Sequence, residues 1–142
     1  MQLRVMRVCI DTNVLVQLFG RNQAGHSIRD ALLTGRIELA ISNEILFEYQ
    51  ETITRLSGAA RWQQVERFLT LLFYLHANIL FLEPYFRFGV VTADPDDNKF
   101  VDCAVAAQAE YVITSDLHFC VLTGSGYKPQ PITPQEFIQA HL

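Results

Sequence analysis

Cysteine, lysine and long apolar runs are all in short supply, and each shortage removes a class of protein. The three cysteines, Cys9, Cys103 and Cys120, are odd in number and match neither a C-x-x-C pair nor a zinc-ligand spacing. No disulfide framework is expected, and a reducing cytoplasm fits best. Basic residues number 11 against 15 acidic ones, for a formal net charge of -4, so nothing in the overall charge draws the chain to nucleic acid or to a membrane surface. All but two of those basic residues are arginines, whose planar forks pair well with phosphate. That composition permits a phosphate-containing substrate without requiring one. The longest apolar stretch, residues 68–82 (FLTLLFYLHANILFL), is broken by Thr70, His76 and Asn78 and is shorter than the about 18 apolar residues that suggest a membrane span. The opening MQLRVMRVCIDT reaches charge too early for a signal-peptide apolar region. No repeat, linker or low-complexity segment divides the chain, so residues 1–142 are expected to form one domain.

What remains is half hydrophobic and only 18% charged, a composition that can bury a core. Residues 5–10 are apolar and β-branched at alternate positions, which predicts a first strand ending at Asp11. A helix is expected over residues 24–34, closed by Gly35, and a second strand over residues 37–41 (IELAI). Ser42 or Asn43 can cap a helix carrying Ile45, Tyr49, Ile53 and Leu56 at three- and four-residue spacing, ending near Gly58. A further helix fits residues 61–76, apolar around most of its circumference and so expected to be well buried. A third strand fits residues 79–82, and a loop broken by Pro84, Gly89 and Pro95 follows. The alanine-rich run NKFVDCAVAAQ predicts a helix over residues 98–108. YVIT gives a fourth strand, and Thr133, Pro134 and Glu136 form a capping box for a last short helix over residues 134–140. Strands alternating with helices imply a three-layer α/β/α domain around a mostly parallel sheet.

The acidic residues are not scattered over this plan. Four carboxylates fall within the ten residues ADPDDNKFVD, and six of the seven aspartates, all but Asp30, lie there or at strand ends. Like charges gathered in this way oppose one another's ionisation unless a cation sits among them. In open parallel sheets ligands collect beyond the carboxyl ends of the strands. Asp11 follows the first strand, Asp116 follows the fourth, and Asp97 opens the alanine-rich helix. With Glu48 from the helix after the second strand, these acids can converge on one edge. Oxygen ligands without convincing His or Cys participation favour a hard ion, Mg²⁺ or Mn²⁺, over zinc. Several competitors stand beside them. Glu44 and Glu51 flank Glu48. Asp94 and Asp96 read as turn material. Asp102 could assist, but it sits about 140° around the helix from Asp97 and is expected to face elsewhere on it, where it could equally pair with Lys99 one turn earlier in a surface contact. His118 and Cys120 follow Asp116, but nothing else in sequence completes a soft-metal site. Lys99 and Arg87 are candidate phosphate contacts. Trp62 and the aromatics of residues 68–74 read as core or subunit interface.

The segments CIDTNVLVQLF, SNEILFEY and DPDDNKFVDCAVAAQAEYVITSDLHF resemble, in this order, the signature of PIN domains, and more closely the bacterial and archaeal branch regarded as toxins of toxin-antitoxin pairs. The likeness runs from the first strand to Phe119. It implies a Mg²⁺- or Mn²⁺-dependent endoribonuclease whose acids are Asp11, Glu48, Asp97 and Asp116, with Asn13, Thr114 and Ser115 supporting them. It also implies an RNA substrate, a cognate antitoxin and a homodimer. The interval from Asp97 to Asp116 is one residue longer than in the commoner toxin pattern, which would point to Asn98. Asp97 is preferred because it leaves Phe100 and Ala104 on the family's apolar and small helix positions. Two rivals remain: a catalytically idle module of the same fold that binds RNA or a protein, and an aspartyl-nucleophile phosphatase. The phosphatase is disfavoured because Asn13 stands where a second Asp is normally needed.

Overall fold

The computed structural model describes residues 5–21, 23–76, 78–84, 87, 89, 91, 97–123, 126 and 128–142. The apolar run MRVCI forms strand β1, Met6–Ile10, in which Val8, Cys9 and Ile10 are all buried. Consecutive buried residues mean that both faces of the strand are covered, as expected at the centre of a parallel sheet. β2 (Ile37–Ile41) pairs with β1 on one side, and β3 (Ile79–Phe81) extends the sheet beyond it. β4 (Tyr111–Ile113) pairs with the other side of β1, and β5 (Gln130–Ile132) lies outside β4. The order β3-β2-β1-β4-β5 is parallel throughout. The expected α/β/α domain is therefore present, with a fifth strand that the sequence reading did not include.

Helices α1 (Thr12–Gln17), α2 (Gln23–Leu33), α3 (Asn43–Ser57), α4 (Ala59–Leu75), α5 (Asn98–Ala107) and α6 (Pro134–His141) flank the sheet. α1 was not foreseen. It begins at the end of β1 because the Asp11 carboxylate accepts from the Thr12 N–H at 2.8 Å and caps the first turn. Ser42 caps α3 and Thr133 caps α6, each accepting from a backbone N–H three residues on. Gly35 ends α2 at φ 75°, where the Arg36 N–H returns to the Ala31 carbonyl at 2.9 Å. Among the described residues no helix is long and apolar enough to cross a membrane.

The expected burial of α4 needs correction. Trp62, Val65, Phe68, Leu69 and Leu72 face inward, but Phe73, Tyr74 and Leu75 are 53%, 78% and 54% exposed. α4 packs beside α3 on the outside of the domain, so only one side of its apolar circumference finds a neighbour. The remainder joins Leu46, Phe47 and Phe81 around a cleft of about 400 Å³ between α3 and α4.

Gly25 marks the closest approach of α1 to α2. A Cβ at this position would lie 2.1 Å from the Gln17 carbonyl oxygen, a backbone atom that cannot rotate away. Gly25→Ala is therefore expected to cost roughly 1–3 kcal/mol through overpacking, read as a lower urea midpoint at unchanged m-value. An unchanged midpoint would contradict the tight α1–α2 contact.

Candidate metal centre

The strand order reverses direction at β1: β2 and β3 build outward on one side, and the chain then crosses to place β4 on the other. The crevice beyond the carboxyl ends of β1 and β4 is thus a topological switch point, where open α/β sheets bind ligands. Asp11 and Asp116 both follow strands into this crevice. Asp11 is only 6% exposed. Its Oδ1 caps α1, and its Oδ2 accepts from the Thr114 hydroxyl at 2.9 Å. The same Thr114 oxygen accepts from the Asp116 N–H at 3.0 Å. One buried threonine therefore fixes the two acids relative to each other.

Asp116 in turn caps a short 3-10 helix, Leu117–Leu122, its Oδ1 accepting from the His118 N–H at 2.8 Å. That turn is anchored by the fully buried Phe119. His118 Nδ1 lies 3.3 Å from Asp116 Oδ1 and 3.5 Å from Asp97 Oδ2. Asp97 immediately precedes α5, yet its side chain makes no capping bond and faces this cluster instead. Ligand atoms of Asp97, Asp116 and His118 all fall within 4.8 Å of one another. Asn98, the rival in alignment, is turned to other work: its side-chain amide accepts from the Val91 N–H at 2.8 Å and donates to the Val91 carbonyl at 3.0 Å.

Glu48 reaches the same edge from α3. Tyr49, wholly buried, donates its hydroxyl to the Ile10 carbonyl, tying α3 to the end of β1. Burial pushes the Tyr49 hydroxyl well above its ordinary pKa, so it remains a neutral donor. One residue earlier, Glu48 accepts from the Thr12 hydroxyl on one oxygen and from Lys99 Nζ at 2.8 Å on the other. Its sequence competitors do not share this position. Glu44 pairs with the exposed Arg87, whose hydrogen bond lowers the carboxylate's pKa, and Glu51 is exposed. Contacts thus run from Lys99 through Glu48, Thr12, Asp11, Thr114, Asp116 and His118 to Asp97, which lies two residues from Lys99.

The supporting residues divide. Thr114 sits at the centre of the network, whereas Asn13 and Ser115 are exposed. Asp102 is not the surface residue expected. It is 3% exposed and lines a small charged pocket with Ser42, Glu44, Glu83, Arg87 and Lys99, while Lys99 also bonds Glu48 at 2.8 Å. Arg87, expected near phosphate, holds Glu44. Asp94 and Asp96 lie outside the described residues. Thr12 and Tyr49 were not singled out for this edge, and His118 was considered as a ligand and set aside. For His118 the available signal was its place two residues after Asp116, which lacked a partner in the linear sequence.

A family model described as PIN domain matches residues 7–118. The chain belongs to the PIN domain family. Among solved structures, this PIN domain is similar to that of VapBC2 from Rickettsia felis bound to a DNA fragment from their promoter, at 15% identity and a TM-score of 0.59, covering 90% of this chain and 98% of the other. It is also similar to FitAcB from Neisseria gonorrhoeae, at 19% identity and a TM-score of 0.57, again covering 90% and 98%. At such identities the likeness establishes the fold. No curated protein matches the sequence at a significant level. PIN domains are generally nucleases and usually use divalent metals. The donor chemistry here fits such an ion, since carboxylate oxygens dominate the crevice and their mutual charge is unfavourable without one. Two ionised carboxylates within 4.8 Å repel by roughly 3–4 kcal/mol at an effective dielectric of about 20.

Asp11 carries this cost in its own titration. Burial raises its pKa, hydrogen bonds from Thr114 and Thr12 oppose the rise, and the charges of Glu48 and Asp116 add to it. A carboxyl whose folded pKa is raised binds more protons in the folded state. Its stabilising contribution is therefore present at low pH and lost as pH rises from the ordinary aspartate range, about 4, through the raised value. In metal-free protein, Asp11→Asn keeps the cap and removes the buried charge. Its melting temperature relative to wild type is expected to increase between pH 4 and pH 7, and scanning calorimetry in EDTA reads this directly. A difference that is flat or falls with pH would show that the Asp11 charge is not strained.

Proposed function

We propose that this PIN domain is a divalent-metal-dependent endoribonuclease, the toxin member of a toxin-antitoxin pair. The observation that carries the reading is the convergence of Asp11, Asp97 and Asp116 at the β1/β4 switch point, with Glu48 tied to it through Thr12. Asp11, Glu48, Asp97 and Asp116 are the acids we assign to the metal, Mg²⁺ or Mn²⁺, with Thr114 holding Asp11 and Asp116 in register. Such an ion, when bound, supplies Lewis-acid stabilisation to a phosphodiester and lowers the pKa of a water nucleophile. The protein's own part is to hold carboxylates close together in a partly buried crevice and to keep them oriented. Thr114 does this from β4, Thr12 from α1 and Tyr49 from α3. Lys99, half withdrawn beside Glu48, offers a positive charge at the rim where a phosphate would enter.

Incubation of the purified chain with single-stranded RNA and Mg²⁺ or Mn²⁺ is expected to give internal cleavage. Asp11→Asn and Asp116→Asn should each reduce the rate by on the order of 100-fold or more, the scale of losing one electrostatic stabiliser of a developing charge. Equal cleavage by wild type and both variants would remove the assignment. RNA binding that survives EDTA, with no product after long incubation, would favour an idle binding module.

The antitoxin and a homodimer are the partners we infer. The exposed Phe47, Phe73, Tyr74 and Phe81 around the α3–α4 cleft form an apolar patch of the kind that marks protein interfaces, and we assign it to a second copy of the chain. Light scattering is expected to report a dimer for wild type and a monomer for Tyr74→Glu. A wild-type monomer at micromolar concentration would refute the dimer.

A further inference from the structure

We infer that His118 contributes a nitrogen ligand to the metal centre and that the site therefore selects Mn²⁺ over Mg²⁺. The inference rests on the nuclease reading for the presence of a metal and adds a residue that the acid pattern does not contain. Its basis is the position of the imidazole. Nδ1 stands 3.3 Å from Asp116 Oδ1 and 3.5 Å from Asp97 Oδ2. Adjacent ligands of an octahedral ion with bonds of about 2.1 Å lie about 3.0 Å apart. The two separations from the imidazole nitrogen are each within about half an ångström of that spacing.

The backbone that carries the ring is also fixed. The His118 N–H is bonded to Asp116, the following Phe119 is fully buried, and the Phe119 N–H returns to the Asp116 carbonyl at 3.3 Å. The same 3-10 turn that presents Asp116 thereby presents His118, so the two behave as one ligand-bearing unit.

Donor identity then decides the ion. Mg²⁺ takes oxygen ligands almost exclusively and retains ordered waters, whereas a nitrogen donor favours a first-row transition ion, and among these Mn²⁺ is the one that also suits a carboxylate-dominated site. A site of two or three carboxylates alone would discriminate weakly between Mg²⁺ and Mn²⁺. Adding a nitrogen tilts it toward Mn²⁺.

The alternative for the same geometry is that protonated His118 merely acts as a counter-charge to Asp97 and Asp116, leaving when any cation enters. Spectroscopy on the full chain loaded with Mn²⁺ separates the two. Electron spin-echo envelope modulation should show a directly coordinated nitrogen in wild type, and the signal should disappear in His118→Ala. Titration calorimetry should show the Mn²⁺ dissociation constant rising about tenfold or more in His118→Ala, with the Mg²⁺ constant changing by less than about threefold. His118→Asp, which restores an oxygen, should bring the two ions closer in affinity. Mn²⁺ bound without nitrogen modulation, or an Mn²⁺ preference unchanged in His118→Ala, would overturn the inference while leaving the nuclease reading intact. Failure of wild type to bind either ion would overturn both.

Discussion

The crevice depends on a carboxylate buried where a sheet changes direction. Asp11 ends the central strand, and the switch between β2 and β4 on either side of β1 leaves a gap in which its side chain is almost enclosed. Enclosure disfavours its charge, and two hydrogen bonds, from the Thr12 N–H and the Thr114 hydroxyl, only partly offset that. Those same bonds start α1 and fix β4 to β1. The strain is thus built into the elements that define the fold, and evolution cannot relax it by moving a loop. Residues that violate the usual rules of burial in this way are expected at functional sites, where stability is exchanged for chemistry.

The legible part of the fold was the part with local causes. β1 and β2 were readable because apolar β-branched runs of five or six residues stop at polar ones, and α3 and α6 because Ser42 and Thr133 cap them. α1 was missed since Asp11 was read as a strand terminator and a ligand, although its carboxylate caps the next helix as well. β5 was missed because its three residues are all only partly buried and include Pro131, so neither alternation nor an apolar run announces it. Its pairing with β4 depends on contacts across the sheet. The aromatic side of α4 was read as core or subunit interface because composition cannot tell a helix face that meets the domain from one that lies outside it.

The same distinction holds in the crevice. Asp11, Asp97 and Asp116 were legible from their places at strand and helix boundaries, and Glu48 could be separated from Glu44 and Glu51 only through resemblance. The structure supplies the physical reason for Glu48: Tyr49, its neighbour, anchors to Ile10 and brings position 48 against Thr12. Thr12 stayed hidden and His118 was set aside because the partners that complete their contacts, Glu48 and Asp97, are distant in sequence. Asp102 was misplaced outward for the complementary reason. Helical geometry argues only for a direction away from Asp97, and away from one carboxylate is not the same as toward solvent.

The contact chain around the edge also assigns unequal parts to the four acids. Both oxygens of Glu48 are engaged, one by Thr12 and one by Lys99. A cation brought near Glu48 would compete with the ammonium of Lys99 for the same carboxylate. An exposed Lys–Glu pair contributes only about 0–1 kcal/mol, and even this partly covered one is a modest barrier beside the repulsion among the acids. Asp97 and Asp116, together with His118, already have ligand atoms grouped within 4.8 Å. In the proposed metal-dependent reading, a cation is best accommodated against Asp97 and Asp116, where β4 and α5 meet the crevice. Glu48, on α3, and Lys99, on α5, close the other end of this contact chain, paired at 2.8 Å.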